Sequence, residues 1–409
     1  MRKFLGNLSW SFFGGIIAAG LFFIFITLSG RWLGPDGFGK FSLALSSSYF
    51  FSLLILFGFD TASIRWLSRK EVDLNGLYRF WKKILLISIP INIFMLYLFL
   101  PSMAAFLRVD VSVLAAGFFV GLFFAIRSIA EIILRGLQDF KFQSKLKFIE
   151  SATVLVLALV CSIIFQWNYF FVYLMILAIG YFLYSLFVFK NRMIVMGDDA
   201  DNVGHLGVFN KSFYQYSIFA FIGGFSGILM SYSDKFFLNH FLSPGELGIY
   251  SAYYVSSALL ANQLALLAIN VIFPAAAMLD NITTAFRKLN KFFFLTALPV
   301  FGIVALFVAF SLFLFGGEYP IIPEILAIFS IYSVLLFYFS LIWWLIASQG
   351  VSGIRFTSLN GIISGFLMIL GFYLLSDHLS IEISVFLIMM PVIYNICIAN
   401  FVYARKRNS

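Results

Sequence analysis

Twelve uninterrupted apolar windows of about twenty residues constrain this chain more than any other feature it has. They fall at residues 8–29, 41–60, 84–106, 111–133, 146–165, 169–189, 212–233, 247–273, 291–315, 324–347, 356–375 and 381–403. A helix of about twenty apolar residues crosses the ~30 Å hydrocarbon core of a bilayer. There, only helices and closed barrels satisfy every backbone N–H and C=O internally. Barrel strands alternate apolar and polar residues over about ten positions, whereas runs such as Val154–Ile164 and Ile325–Ile346 do not alternate. Charged residues make up 11% of the chain and hydrophobic ones 62%. Soluble domains carry roughly 25% and 45–50%, so too little charge is present to cover a water-facing surface. The expectation is an all-α integral membrane protein of about twelve transmembrane helices.

The connections between windows are short, the longest being Lys190–Lys211, and leave no room for a soluble domain. Met1-Arg2-Lys3 opens like a secretory leader, but Leu8–Leu28 is long enough to span and no small-x-small cleavage site follows. A retained first span is therefore expected. Cytoplasmic loops keep Lys and Arg; with the N-terminus inside, 23 of the 27 basic residues face the cytoplasm, and only Arg31, Lys40, Arg108 and Lys235 lie on the other side. That asymmetry predicts an even number of spans, cytoplasmic N- and C-termini, and a plasma (inner) membrane location. The net charge of +9 then reads as topogenic and lipid-facing rather than as a nucleic-acid footprint. Cys161 and Cys397 fall in separate apolar runs near opposite faces, which predicts no disulfide between them.

The chain repeats itself. Leu33-Gly34-Pro35-Asp36-Gly37-Phe38-Gly39-Lys40-Phe41-Ser42 aligns with Leu242-Ser243-Pro244-Gly245-Glu246-Leu247-Gly248-Ile249-Tyr250-Ser251 at an offset of 209 residues. The same offset places Gly14 and Gly15 on Gly223 and Gly224, and Pro90 on Pro299. Six spans per half is an even number, so two parallel six-helix lobes are expected, residues 1–200 and 201–409. Parallel repeats of this kind are a transporter architecture with the site at the repeat interface. Pro90 and Pro299 each remove a backbone donor mid-helix and should bend equivalent helices. The glycine pairs should allow close approach or bending of the first and seventh.

Within this apolar background a few polar groups stand out. Arg127, Glu131, Arg135 and Gln138 recur at spacings of 4, 4 and 3, which would put them on one helix face. Charge inside a span faces a bundle interior or a wet cavity, or snorkels to the interface; both readings are open for Arg127 and Arg135. Asp60 and Arg65 close the second span, Glu150 opens the fifth beside Lys147, and Asp234-Lys235 closes the seventh. These are candidates for coupling, gating or interfacial ion pairs. Gly34–Lys40 falls short of a phosphate-binding loop, because Phe41 stands where Ser or Thr must hold Mg²⁺ and no strand precedes it. His205, His240 and His378 have no ligand spacing. No metal site, no cofactor and no enzymatic chemistry are expected.

Gly30-Arg31-Trp32-Leu33-Gly34-Pro35-Asp36-Gly37-Phe38-Gly39, then Gly58-Phe59-Asp60 and Ile64-Arg65, resembles the opening of polysaccharide flippases of the Wzx type. These belong to the multidrug/oligosaccharidyl-lipid/polysaccharide (MOP) exporter superfamily. Leu134–Lys141, Asp234-Lys235, Ser243–Ser251, Phe273-Pro274 and Phe315–Tyr319 follow the family's pattern in order, so the resemblance spans nearly the whole chain. It implies a MOP/MATE-like fold of two six-helix lobes opening alternately to each side. It also implies a polyprenyl-diphosphate-linked oligosaccharide as substrate, H⁺ or Na⁺ as a coupling ion, and other polysaccharide-assembly proteins as partners beside membrane lipid. The related lipid II flippases hold the diphosphate with intramembrane Arg residues in the first and second spans. This chain has no charge between Leu8 and Leu28, and Arg31 matches a motif position only at the outer end. The substrate-binding candidates are therefore Arg127, Glu131, Arg135 and Gln138, with Arg31 and Arg65. A cation-coupled drug or metabolite exporter of the same superfamily is the alternative, although no acid lies in the first span. A membrane glycan polymerase would need a larger external loop than Asp234–Glu246, and a passive scaffold would leave the repeat unexplained.

The topology is checked by fusing a reporter fluorescent only in the cytoplasm to the C-terminus and to the loop after Phe241. The first fusion should fluoresce and the second stay dark; the reverse pattern overturns the orientation.

Overall fold

The computed structural model describes residues 2–68, 72–198, 211–276, 282–349 and 351–405. Arg69, Lys70, His205, Lys406 and Arg407 lie outside the described residues. Within them the chain is helical throughout, as the apolar windows require: α1 (Arg2–Leu56), α2 (Phe59–Ser68), α3 (Leu74–Leu107), α4 (Val111–Gly136), α5 (Phe140–Leu159), α6 (Phe170–Asp198), α7 (Lys211–Phe241), α8 (Pro244–Tyr254), α9 (Leu260–Ala276), α10 (Thr283–Phe315), α11 (Pro323–Ala347), α12 (Val351–Leu374) and α13 (Ile381–Arg405). A π-helical turn, Val160–Ile164, extends α5, and another, Val255–Leu259, joins α8 to α9.

Ten helices among the described residues are long and apolar enough to cross a membrane. The first of them covers 43 residues, Gly14–Leu56, or about 65 Å at 1.5 Å per residue, twice what one crossing needs. It is broken at Gly34, whose φ of 66° and ψ of 174° are not helical and fall where a side chain is disfavoured. Pro35 starts the second rod, where its missing N–H costs nothing. Beyond the break the chain turns back, because the Phe38 ring comes within 3.4 Å of where a Cβ on Gly30 would sit. Eight residues apart in a straight helix would be about 12 Å. α1 thus supplies two spans, and α8 with α9 supplies one more, giving the twelve expected.

Two boundaries differ from the apolar windows. The second window, drawn to residue 60, ends at Leu56; Phe57 and Gly58 take positive φ (50° and 71°) and a separate short helix, α2, carries Asp60 and Arg65. α3 begins at Leu74, ten residues before its apolar window, because the Asp73 side chain accepts the Gly76 N–H at 2.9 Å and caps a polar first turn.

The described chain forms two compact units, residues 1–25 with 43–225, and residues 26–42 with 226–409. The first unit is centred on Phe51, Ile55, Trp66, Trp81, Ile129 and Phe213. It includes the beginning of α7, where Phe57 stacks on Phe221 and a Cβ on Gly224 would meet Leu53 at 2.8 Å. Gly14 approaches Ser144 of α5 within the same unit. In the second unit the α1 bend is gripped by later parts of the chain. The Tyr319 hydroxyl donates to the Gly30 carbonyl at 2.7 Å, and Phe38 packs edge-on against Phe315 and Tyr319.

The repeat itself makes the tightest contact of this unit. A Cβ on Gly248 would lie 2.6 Å from the Pro35 carbonyl carbon, while one on Gly39 would lie 3.3 Å from the Pro244 carbonyl carbon. Pro35 and Pro244 are repeat equivalents, as are Gly39 and Gly248, so the contact is reciprocal: each proline meets the other copy's glycine. Small residues let helix backbones approach this closely, and in lipid that packing is itself a main attraction. α8 is held ready for it by a capping box between Ser243 and Glu246, with Pro244 in the first turn. α3 and α10, which carry Pro90 and Pro299, expose long apolar faces including Phe94 and Tyr97, and Phe294 and Leu298, of the kind that faces lipid in a membrane-spanning helix.

Because the atoms facing Gly248 belong to backbone, they cannot rotate away. Gly248→Ala should lower the melting temperature of the detergent-solubilised protein clearly, whereas Gly302→Ala, with nothing within 4 Å, should leave it unchanged. Size-exclusion chromatography after graded heating reads both.

Candidate functional site

The polar residues of α4 and α5 are joined into one ionic cluster in the first unit. α4 presents Arg127, Glu131 and Arg135 at successive turns of one face. α5, whose first turn is capped by Asp139 accepting the Phe142 N–H at 3.2 Å, presents Gln143, Lys147 and Glu150 toward them. Arg127 donates from Nε and Nη2 to the two oxygens of Glu150, each at 3.1 Å, and from Nη1 to Glu131. Such a fork-to-carboxylate pair is the strongest geometry available to a guanidinium. Glu131 also accepts from Lys147 and from Gln143, both at 2.9 Å, and Arg135 Nε stands 3.8 Å from it. α6 closes the site: the Arg127 guanidinium lies 4.9 Å from the Tyr184 ring centre and 6.0 Å from that of Tyr181. Ala130, Leu134, Leu146, Tyr184 and Val188 pack as an apolar collar beside it.

Exposure divides the cluster in two. The Arg127, Glu131 and Glu150 side chains are 9–15% exposed, while Arg135 is 37% and Lys147 30% exposed. Three cations meet two carboxylates, an excess of one positive charge. α2 adds Asp60, on which the charge of Arg135 acts, and Arg65, which leans over Tyr216 at 5.1 Å; together they leave that excess unchanged. The buried trio is an internal structural lock, and the surplus charge resides on the two most accessible side chains.

Of the sequence candidates, Arg127, Glu131, Arg135 and Glu150 come together, with Asp60 and Arg65 on the neighbouring helix α2. Gln138 does not share their face. α4 ends at Gly136, and Gln138 adopts φ 56° in the exposed turn before α5, because a two-helix corner needs the chain to leave the helical path there. Arg31 lies in the second unit beside Gly316. Asp234 and Lys235 also lie there, buried among tyrosines: Tyr250 donates to Asp234, and the Lys235 ammonium sits 3.9 Å from the Tyr254 ring centre. Gln143 was not among the sequence candidates and Lys147 was named only as the neighbour of Glu150; Tyr181 and Tyr184 were not among them either. The spacing of 143, 147 and 150 carried a signal for the first two, and nothing in the sequence marks those tyrosines among so many aromatic residues. A separate pocket of about 460 Å³ is lined by Ser352, Arg355, Phe356, Leu359 and Asn360 on α12.

Removing one partner of a buried ion pair strands the other and costs about 3–5 kcal/mol. Arg127→Met should therefore destabilise the protein strongly, and Arg127→Lys should recover part of the loss by restoring charge without the fork. Arg135→Gln, at a more exposed position, should cost about 0–1 kcal/mol. Thermal unfolding in detergent ranks the three.

The family described as polysaccharide biosynthesis protein matches residues 4–280, more than half of the chain. No curated protein matches. Among solved structures, an outward-facing multidrug resistance MATE family transporter of the MOP superfamily is similar with a TM-score of 0.63 at 13% identity, over 98% of this chain and 95% of that one. An inward-facing MATE family transporter gives 0.62 at 13% identity, over 97% and 100%. A MOP superfamily transporter from Pyrococcus furiosus, described as having a binding pocket of reversed polarity, gives 0.60 at 14% identity, over 98% and 95%. At such identities the likeness establishes the fold, and the fold is MATE-like. The chain belongs to the polysaccharide biosynthesis protein family and is a multi-pass membrane protein with a MATE-like fold.

Proposed function

We propose that the protein is a flippase that turns a polyprenyl-diphosphate-linked oligosaccharide from the cytoplasmic to the outer leaflet, for cell-surface polysaccharide synthesis. The observation that carries this reading is the family match over residues 4–280; the surplus positive charge on the α4–α5 cluster supports it. The physical problem is that a sugar headgroup cannot cross ~30 Å of hydrocarbon unaided, while its lipid tail never needs to leave the bilayer. A carrier for it needs accessible cations that recognise a diphosphate, held in a polar site away from the lipid where bare charge is costly. Arg135 and Lys147 fill that role, and Arg127 acts through Glu131 and Glu150, fixing the frame on which the two are presented. Gln138, Arg65 and Arg31 are secondary contacts for sugar or phosphate. The basic asymmetry of the loops draws an anionic headgroup to the cytoplasmic face, consistent with an inner-membrane protein whose termini both face inward. Lobes corresponding to residues 1–200 and 201–409 would move in alternation, with Pro90, Pro299, Gly14, Gly15, Gly223 and Gly224 as the positions that let helices bend or slide. A cation-coupled drug or metabolite exporter is the second reading, favoured by the fold shared with multidrug transporters.

Deleting the gene should abolish the surface glycan and accumulate its lipid-linked precursor in the inner leaflet. Arg135→Ala should fail to restore export although the protein is stably made, and Arg135→Lys should restore it in part, since charge is kept and the bidentate geometry lost. Unchanged glycan together with new drug sensitivity in the deletion strain would select the exporter instead.

A further inference from the structure

The two copies of the repeat preserve a pair of cations on the helices that carry the mid-span prolines. At the offset of 209, Arg79 and Lys82 of α3 align with Lys288 and Lys291 of α10, in the register that also aligns Pro90 with Pro299. Apart from Arg2 with Lys211, no other Lys or Arg of residues 1–200 meets a Lys or Arg at that offset: Lys83 aligns with Phe292, Lys145 with Ile354 and Lys147 with Phe356. All four side chains are exposed, and among the described residues no carboxylate engages any of them. Basic loops fix orientation, but that demand is met by charge anywhere in the loop. It sets neither the register nor the helix face that these four share.

The face is the one turned away from the protein. In α3, Leu77, Trp81, Ser88 and Asn92 are buried on one side; Arg79 and Lys82 lie on the other, and Leu86, Pro90, Ile93 and Tyr97 continue their line at helical spacing. α10 is laid out alike, with Phe286 and Val308 buried and Lys288, Lys291, Leu295, Pro299 and Leu306 following one another on the far side. Equivalent positions are equally open: Leu86 is 66% and Leu295 69% exposed, Tyr97 79% and Leu306 75%. Each helix thus carries two cations one turn apart and, directly beyond them, an exposed apolar stripe. Side chains at such spacing stand ~5–6 Å apart at Cβ, close enough to hold one phosphodiester between them. One leaflet is about half of the ~30 Å hydrocarbon core, so an acyl chain starting at Lys82 runs along about ten residues of helix, past Leu86 to the level of Ile93.

We propose that α3 and α10 each hold one anionic glycerophospholipid, with its phosphate between Arg79 and Lys82, or between Lys288 and Lys291, and an acyl chain along the apolar stripe. Charge complementarity selects the occupant. Lys and Arg at a membrane surface attract anionic lipid, whereas a zwitterionic headgroup brings its own cation to the phosphate and gains little from two more. Two equivalent sites, one in each unit and each opposite the packed face of its helix, suit a resident lipid better than a single headgroup in transit. The sites differ in one group: Arg79 offers a planar fork that can take a phosphate with two bonds, while Lys288 offers a point charge. The site on α3 is therefore the tighter. The inference needs the chain to be in a membrane and is independent of what it transports.

Native mass spectrometry of the detergent-purified protein with added phosphatidylglycerol or phosphatidylcholine tests this. Wild type should retain two phosphatidylglycerols and release phosphatidylcholine. Arg79→Gln/Lys82→Gln should retain one, and so should Lys288→Gln/Lys291→Gln. Each double change should weaken its own site about thirtyfold, since one cation near an anionic surface contributes about fivefold. The four changes together should leave none. Lys141→Gln/Lys145→Gln, at exposed positions of α5 whose repeat equivalents are Gly350 and Ile354, should still retain two. The lipid left in Lys288→Gln/Lys291→Gln should withstand a higher collision energy than the one left in Arg79→Gln/Lys82→Gln, and Arg79→Lys should remove that difference. Two lipids on the fourfold variant, phosphatidylcholine held as firmly as phosphatidylglycerol, or both lipids lost from either double variant overturns the sites. So does loss of a co-purified lipid-linked precursor from these variants while phosphatidylglycerol stays. None of these readouts depends on glycan export, so a failed substrate assignment leaves the paired lipid sites standing.

Discussion

In hydrocarbon an unpaired backbone N–H or C=O costs several kcal/mol, and everything else in this protein is arranged under that constraint. It forces the helices, keeps the connections short, and makes each departure from helical geometry conspicuous. Gly34 breaks α1 where the following residue is a proline, so the break removes one donor that would otherwise need a partner. The Gly30 carbonyl, one turn before the break, is met by the Tyr319 hydroxyl. At the junction of α10 and α11 the Tyr253 hydroxyl accepts the Ile322 N–H at 2.7 Å and donates to the Pro320 carbonyl at 2.8 Å. At these two places a tyrosine hydroxyl from elsewhere in the same unit meets backbone groups beside the break.

The same constraint sorts the charges. In the first unit Arg127, Glu131 and Glu150 satisfy one another through forked and shared hydrogen bonds, an arrangement that offsets desolvation and fixes α4 and α5 together. In the second unit a join between α10, α11 and α13 is neutral: the Tyr338 hydroxyl donates to Asn290, which donates to Asn400 at 2.6 Å. The Asp234–Lys235 pair of that unit is left incompletely satisfied.

Sequence alone determined the helical class, the number of spans and the repeat, because each follows from properties local to a stretch of chain: continuous apolarity, the distribution of Lys and Arg, and an offset that recurs. It also brought out Arg127, Glu131 and Arg135, since spacing by one helical turn is readable without a fold. Only the tertiary structure decided what those residues meet. Glu150 lies 23 residues from Arg127 on another helix, and no pattern in the sequence distinguishes a carboxylate that closes an ionic lock from one that snorkels to an interface. The reciprocal contact of Pro35 with Gly248 and Gly39 with Pro244 was likewise invisible, although all four residues stood in the aligned motif. A repeat records that two segments are alike, and whether they touch depends on how the intervening helices pack. Helix α2 and the off-helix position of Gln138 were decided by single backbone turns at Phe57-Gly58 and after Gly136, where packing rather than propensity selects the conformation.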